Sequence, residues 1–254
     1  MFDENSAGAN VLRETFVATG TTTTLSFTPV SAGDSWHFCG FSNEQVFNDT
    51  WSPTSGNSWN TVGNWSNGVV PNVAGSNALF SAQAGPTNVL FTTSRTVGHV
   101  GFLGMGGYTV SGSTLKMTAD AGGVSVLSAE AGGSHTIDAL VQLVSDTVKY
   151  GAGTITLASE VFGTKSLSVN AGTLRFGFTN SYSGGTSVGL GATLDLNGIN
   201  QNLGPLNGAG TIVNDGGGTI ETTVDSGTFT GVIRDHNAGS GIVALTKQTT
   251  APSR

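Results

Sequence analysis

The chain has 254 residues, of which 39 are Gly, 37% are hydrophobic and only 10% are charged. That apolar content can build one or two cores, which excludes a disordered tract, and the abundance of Gly and Thr argues against helices. The balance of 9 Lys and Arg against 16 Asp and Glu, net −7, lacks the clustered cations that nucleic acid or an anionic membrane needs, so neither is an expected partner.

Residues 1–47 open with "MFDENSAGANVLRETF", which has neither a basic n-region nor an apolar h-region and is not read as a signal peptide. "FVATGTTTTLSFTPV" alternates as a strand does, and "SWHFCGF" follows. Cys39 is the single cysteine, so no internal disulfide and no cysteine metal site is expected; it reads as a small buried hydrophobe. No run of about 18 apolar residues occurs anywhere, so no membrane-spanning helix is expected.

Residues 48–87 hold three of the four tryptophans, Trp51, Trp59 and Trp65, in a polar frame rich in Gly and Asn. Two readings compete. The three indoles form a platform for sugar rings, which makes them candidate glycan-binding residues, or they cap the open first coil of a repeat structure. The cap is the preferred reading. Asn48 to Thr50 and Asn64 to Ser66 match N-x-[ST] and read as turn residues.

From residue 88 the chain is a series of short strands separated by Gly or Asn. "GTITL" starts at Gly153, "GTLRF" at Gly172, "GATLDL" at Gly191 and "GTIVN" at Gly210, each 19 residues after the last. Self-similarity at that period predicts a β-solenoid, in which each coil stacks on the one before at roughly 4.8 Å. Alternation assigns the faces: Ile155, Leu157, Leu167, Val169, Leu174, Phe176, Leu194 and Leu196 point inward, while Thr156, Arg175 and Asp195 point outward. On this reading Arg175, Asp195 and Glu221 are isolated, solvated charges.

The stretch "SYSGGTSVGLGATLDLNGINQNLGPLNGAGTIVNDGG", followed by "GTFTGVIRD" and "ALTK", resembles the autotransporter-associated β-strand repeat. The matching elements are Tyr182–Val188, Thr193–Leu196, Leu206–Thr211, Thr228–Ile233 and Leu245–Lys247. Upstream, Trp59 and "NWS" at Asn64–Ser66 are similar to the segment that opens such arrays. The resemblance spans about residues 48–247. It implies a right-handed parallel β-helix, export from a bacterial cell, a surface or secreted role, and no catalytic residues. The family usually continues past the Leu-Thr-Lys strand into another unit, whereas here "QTTAPSR" follows, so the expectation is a piece of a longer exported protein.

Other chemistry is weaker. "GTSVG" at Gly185–Gly189 matches G-x-S-x-G, with Asp215 or Asp225 and then His236 following in hydrolase order, but the nucleophile elbow requires a strand, a turn and a helix, and "LGATLDLNG" suits no helix. His37, His99, His135 and His236 have no metal-ligand spacing and read as solvated or singly hydrogen-bonded. "GFLGMGGY" lacks the context of a dinucleotide loop and reads as a tight corner.

The expected architecture is therefore all-β: a parallel β-helix with a Trp-rich cap and a short preceding β segment. Residues 1–47 are assigned to the remnant of a β-sandwich-like domain, 48–87 to the cap and 88–254 to the solenoid. The expected function is structural or adhesive, in a bacterial cell-surface or secreted repeat protein, with no catalysis, no cofactor and no metal. Expected partners are surface glycans, host or matrix components, and neighbouring repeats. The alternatives are a polysaccharide-degrading β-helix enzyme, which would cluster acidic and basic groups on one outer face, and a glycan-binding module built on the tryptophans.

Overall fold

The computed structural model describes residues 48–81, 87–237 and 239–248. The expectations for residues 1–47, Cys39 and His37 among them, lie outside these residues. So does the tail from 249 onward.

The described chain is a parallel β-solenoid of about eight turns. One wall is an eight-stranded sheet: Asn48–Thr50, Asn77–Ser81, His99–Leu103, Ser125–Ala129, Thr147–Tyr150, Leu167–Val169, Thr186–Val188 and Leu206–Gly208, one strand per coil and all parallel. A second, eleven-stranded sheet faces it. Its middle strands, Thr109–Met117 and Ser134–Leu143, run across a whole face. In the coils beyond them that face breaks into pairs: Thr154–Leu157 with Val161–Gly163, then Thr173–Phe176 with Ser181–Tyr182. In the last coils the second member of each pair leaves to form a third wall of three strands, Gln201–Asn202, Thr219–Val224 and Ile242–Lys247.

Stacking converts sequence alternation into ladders. In register lie His135, Ile155, Leu174, Leu194, Ile212 and Ile233, and all but the last are buried. Outside, Ser134, Thr154, Thr173, Thr193 and Thr211 form the matching polar ladder. All eight predicted inward residues are buried. The glycine spacing is less regular than it reads. Thr154 pairs with Thr173, Thr173 with Thr193 and Thr193 with Thr211, so successive coils advance by 19, 20 and 18 residues. Gly191 sits in the turn at φ 81°, and Ala192 takes the buried corner position.

Corners explain the glycines. Gly208 adopts φ 106°, and a Cβ there would overlap the Val188 carbonyl of the coil before. In the motif "YSGGTSV" the tyrosine closes the corner from inside. The Tyr182 hydroxyl donates to Thr186 Oγ1 at 2.7 Å, and Thr186 donates to the Leu203 carbonyl at 2.8 Å. Burial pushes the Tyr182 phenol up to about 12.

The tryptophans form a cap, and it is inserted, not preceding. It occupies the long connection between the first two described strands of the first wall, Asn48–Thr50 and Asn77–Ser81, which pair with each other. Trp59 packs on Trp65 at 4.9 Å, on Phe91 at 5.6 Å and on Phe80 at 5.7 Å between ring centroids. The indole of Trp65 donates to the Trp59 carbonyl and that of Trp59 to the Pro71 carbonyl, so these two ring N–H groups are satisfied inside the cluster. Among the described residues no helix is long and apolar enough to cross a membrane.

Candidate functional site: the outer face of the third wall

Trp51, Trp59 and Trp65 are buried to 0%, 0% and 3% exposure. Their faces rest on one another, on Phe80 and on Phe91, which leaves no indole face for a sugar ring. The platform reading of these three residues is corrected: aromatics gathered in a polar segment are drawn together by their own burial.

The G-x-S-x-G residues are also explained by the coil. Ser187 lies mid-strand in the first wall, paired with Ser168 and Asn207, and a turn with no helix follows it before Thr193–Asp195. His236 lies at the corner between the second and third walls, where its Nδ1 donates to the Gly241 carbonyl at 3.0 Å. Asp215 occupies the equivalent corner one coil earlier and accepts from Asn237. Asp225 follows the third-wall strand Thr219–Val224. Ser187 and His236 are thus on different faces of the coil.

Asp195 and Lys149 are both buried, and for Asp195 this departs from expectation. Asp195 is buried at 1% exposure although it takes an outward position. Its carboxylate accepts from Arg175 Nε at 2.6 Å and from the backbone N–H groups of Asn197 and Asp215, so Arg175 and Asp195 form a pair between adjacent coils. Lys149, in "TVKYG", points inward between Leu127 and Val169. Its ammonium donates to the carbonyls of Gly151, Gly153 and Ala171, and desolvation lowers its pKa from 10.5 to about 8. His135 is buried too, stacked on Phe102 at 4.2 Å, and burial holds its pKa down. Among the described residues no group of three His, Cys, Asp or Glu could hold a metal ion.

One shallow concave feature among the described residues is a groove of about 260 Å³, lined by Thr179, Asn200, Gln201, Asn202, Glu221 and Thr223. Three successive coils build it. Thr179 comes from the corner after Thr173–Phe176, Asn200 to Asn202 from the next coil, and Glu221 and Thr223 from the outward positions of Thr219–Val224. The groove lies at the seam where the third wall parts from the second. Strand Ser181–Tyr182 belongs to the second sheet and Gln201–Asn202 to the third. Gln201 holds that seam with its side chain: Oε1 accepts from the backbone N–H and the Nδ2 of Asn180, and Nε2 donates to the Phe178 carbonyl at 2.8 Å. Asn180 Oδ1 in turn accepts from Val161 N at 2.8 Å. The sequence points to this site only through Asn and Gln clustered at a corner.

No family model, curated protein or solved structure matches this chain. Its β-solenoid is compatible with a structural repeat protein, and the same architecture also serves enzymes.

Proposed function

We propose that the protein is a structural, adhesive element of a bacterial cell-surface or secreted repeat protein, akin to the autotransporter-associated β-strand repeat proteins, and that it is not an enzyme. The observation that carries this reading is the ladder structure itself. Coils of nearly constant length repeat one inward apolar and one outward polar register from Ser134 to Thr211, a span that takes in the family-like motifs at Tyr182–Val188, Thr193–Leu196 and Leu206–Thr211. Two further features support it. The hydrolase-like Ser187 and His236 lie on different faces, and Arg175 and Asp195 are occupied with each other between coils. Outward positions filled by Thr and Ser suit a long, neutral lateral surface.

The test is immunostaining of the source bacterium with antibody against the purified chain. The expected result is staining of intact cells or recovery from the culture medium. Staining only after permeabilisation overturns the export reading. Hydrolysis of ester, peptide or uronic-acid polysaccharide that is lost in Ser187→Ala or His236→Ala overturns the non-catalytic one.

A further inference from the structure

We propose that the groove on the outer face of the third wall binds a neutral saccharide chain. The inference deepens the adhesive part of the reading above and uses different residues from the buried tryptophans. It starts from the polar atoms that the groove presents. Asn200 and Asn202 are exposed, and each commits its side-chain oxygen to the backbone: Asn200 Oδ1 accepts from Glu221 N at 2.8 Å and Asn202 Oδ1 from Gly204 N at 2.9 Å. Both side chains are thereby held in place, with their Nδ2 groups as fixed donors. Glu221 is exposed and accepts from the Thr246 hydroxyl at 3.1 Å through Oε1, which leaves Oε2 as an acceptor. The Thr179 hydroxyl can do both, and that of Thr223, which donates to the Gln201 carbonyl at 3.5 Å, can accept.

Positioned donors beside one carboxylate, with hydroxyls between them, suit a ligand whose own groups both donate and accept, as sugar hydroxyls do. An anionic polymer is disfavoured, because no Lys or Arg lines the groove and Glu221 does. A divalent cation would find a single carboxylate where it needs several. Because the lining comes from three consecutive coils, the ligand is an extended chain laid along the stack and not a single ring. Gln201 has the positioning role, since its side chain spans the seam and sets the separation of the coils on either side.

The experiment titrates the isotope-labelled chain with cellohexaose, mannohexaose and maltohexaose, with hexagalacturonate as the anionic comparator, and reads side-chain amide and backbone shifts. At least one neutral hexasaccharide is expected to shift the Asn200 and Asn202 amides. Its affinity is expected to fall at least tenfold in Asn202→Asp/Glu221→Ala, with the melting temperature retained because the substituted carboxylate still accepts from Gly204 N while the Nδ2 donor is lost, and Glu221 is exposed. The more conservative Glu221→Gln, which keeps the shape of the side chain, checks that any loss is not misfolding. No shift with any of the three neutral sugars, shifts confined to other walls, equal binding of hexagalacturonate, or undiminished affinity in the double variant each overturns the proposal. Intact-cell staining with no saccharide binding removes the groove and leaves the export reading standing; binding by a chain never found outside the cell does the reverse.

Discussion

In the first described coils Trp51, Trp59 and Trp65 are at most 3% exposed, while in the last described coil Leu245, aligned with the buried Thr222, stays at 50%. Every coil in a solenoid is covered by its two neighbours, so only the end coils need another device. At the first wall's start the device is a long inserted connection. Its indoles pack on one another and on Phe80 and Phe91, and hydrogen bonds to the Trp59 and Pro71 carbonyls hold them there. At the other end the same inward register continues through Phe229, Ile233 and Val243, but these are only partly buried. The contrast shows that burial here comes from the neighbouring coil and not from the strand itself. Ile212 and Ile233 occupy the same ladder, and only the one with coils on both sides is fully covered.

The largest effect is therefore expected in mid-stack. Leu174 is fully buried between Ile155 and Leu194. Leu174→Asp places a charge with no partner inside the coil and is expected to abolish cooperative melting of the central coils. A melting temperature within a few degrees of the parent would overturn the inward assignment and, with it, the explanation of why the ends differ.

Trp59→Ala comes next. It removes a buried indole that touches Trp65, Phe80 and Phe91, and losses of about 3–5 kcal/mol are typical of such truncations. Denaturant unfolding of the variant measures it. If the cap behaves like the far end, with a cost below about 1 kcal/mol, then the aromatic cluster decorates the first coil and does not close it.

A smaller effect is expected at Arg175. Read from the sequence alone, Arg175→Asp ought to cost no more than any surface change, within about 0.5 kcal/mol. The structure sets a higher expectation, because the new carboxylate would face Asp195, buried and already holding its position through backbone donors. Loss of a hydrogen bond to a charged group costs about 1.5–3 kcal/mol. Arg175→Asp/Asp195→Arg, which restores opposite charges, is expected to recover part of that loss in the same unfolding experiment.

These three sites also show how far the sequence reaches. Strand orientation was legible because apolar residues alternate without exception at Ile155, Leu157, Leu174, Phe176, Leu194 and Leu196. Coil pairing was legible to within a residue, and missed there because Gly191 is a turn residue while Ala192 stacks. The Arg175–Asp195 pair was hidden because residues 20 apart become neighbours only when the register is fixed. Lys149 was hidden because a lysine normally marks an outer face. The groove was the least legible feature, since it depends on a sheet break that Gln201 bridges with its side chain, and nothing in the local pattern tells an inward glutamine from an outward one.

Lys149 yields a pH prediction confined to the middle coils. Its folded pKa of about 8 lies below the ordinary 10.5, so between those values the unfolded chain binds more protons than the folded one. Stability from this group is therefore expected to rise with pH from about 8 to 10.5 and to be independent of pH below that window. Thermal unfolding at pH 7.5 and pH 10, parent against Lys149→Met, isolates the group: the rise is expected in the parent and a smaller one in the variant. Equal pH slopes would show that the ammonium held by Gly151, Gly153 and Ala171 is not desolvated.

The smallest effect is expected in the last described coil, and it sharpens the comparison most directly. Leu245 aligns with Thr222 in the third wall, and its side chain is half in solvent. Leu245→Asn therefore forfeits little burial, and a change within about 0.5 kcal/mol is expected, as at most surface positions. Hydrogen exchange gives the same contrast residue by residue. Opening free energies fall where buried apolar contacts are few. The amides of Val243 to Leu245 are expected to exchange well before that of Leu194, whose strand has a partner on each side. Equal protection at the two places, with Leu245→Asn costing as much as a core substitution, would mean that the last coil is covered as thoroughly as the first, and the difference between the two ends would then lie in which atoms do the covering.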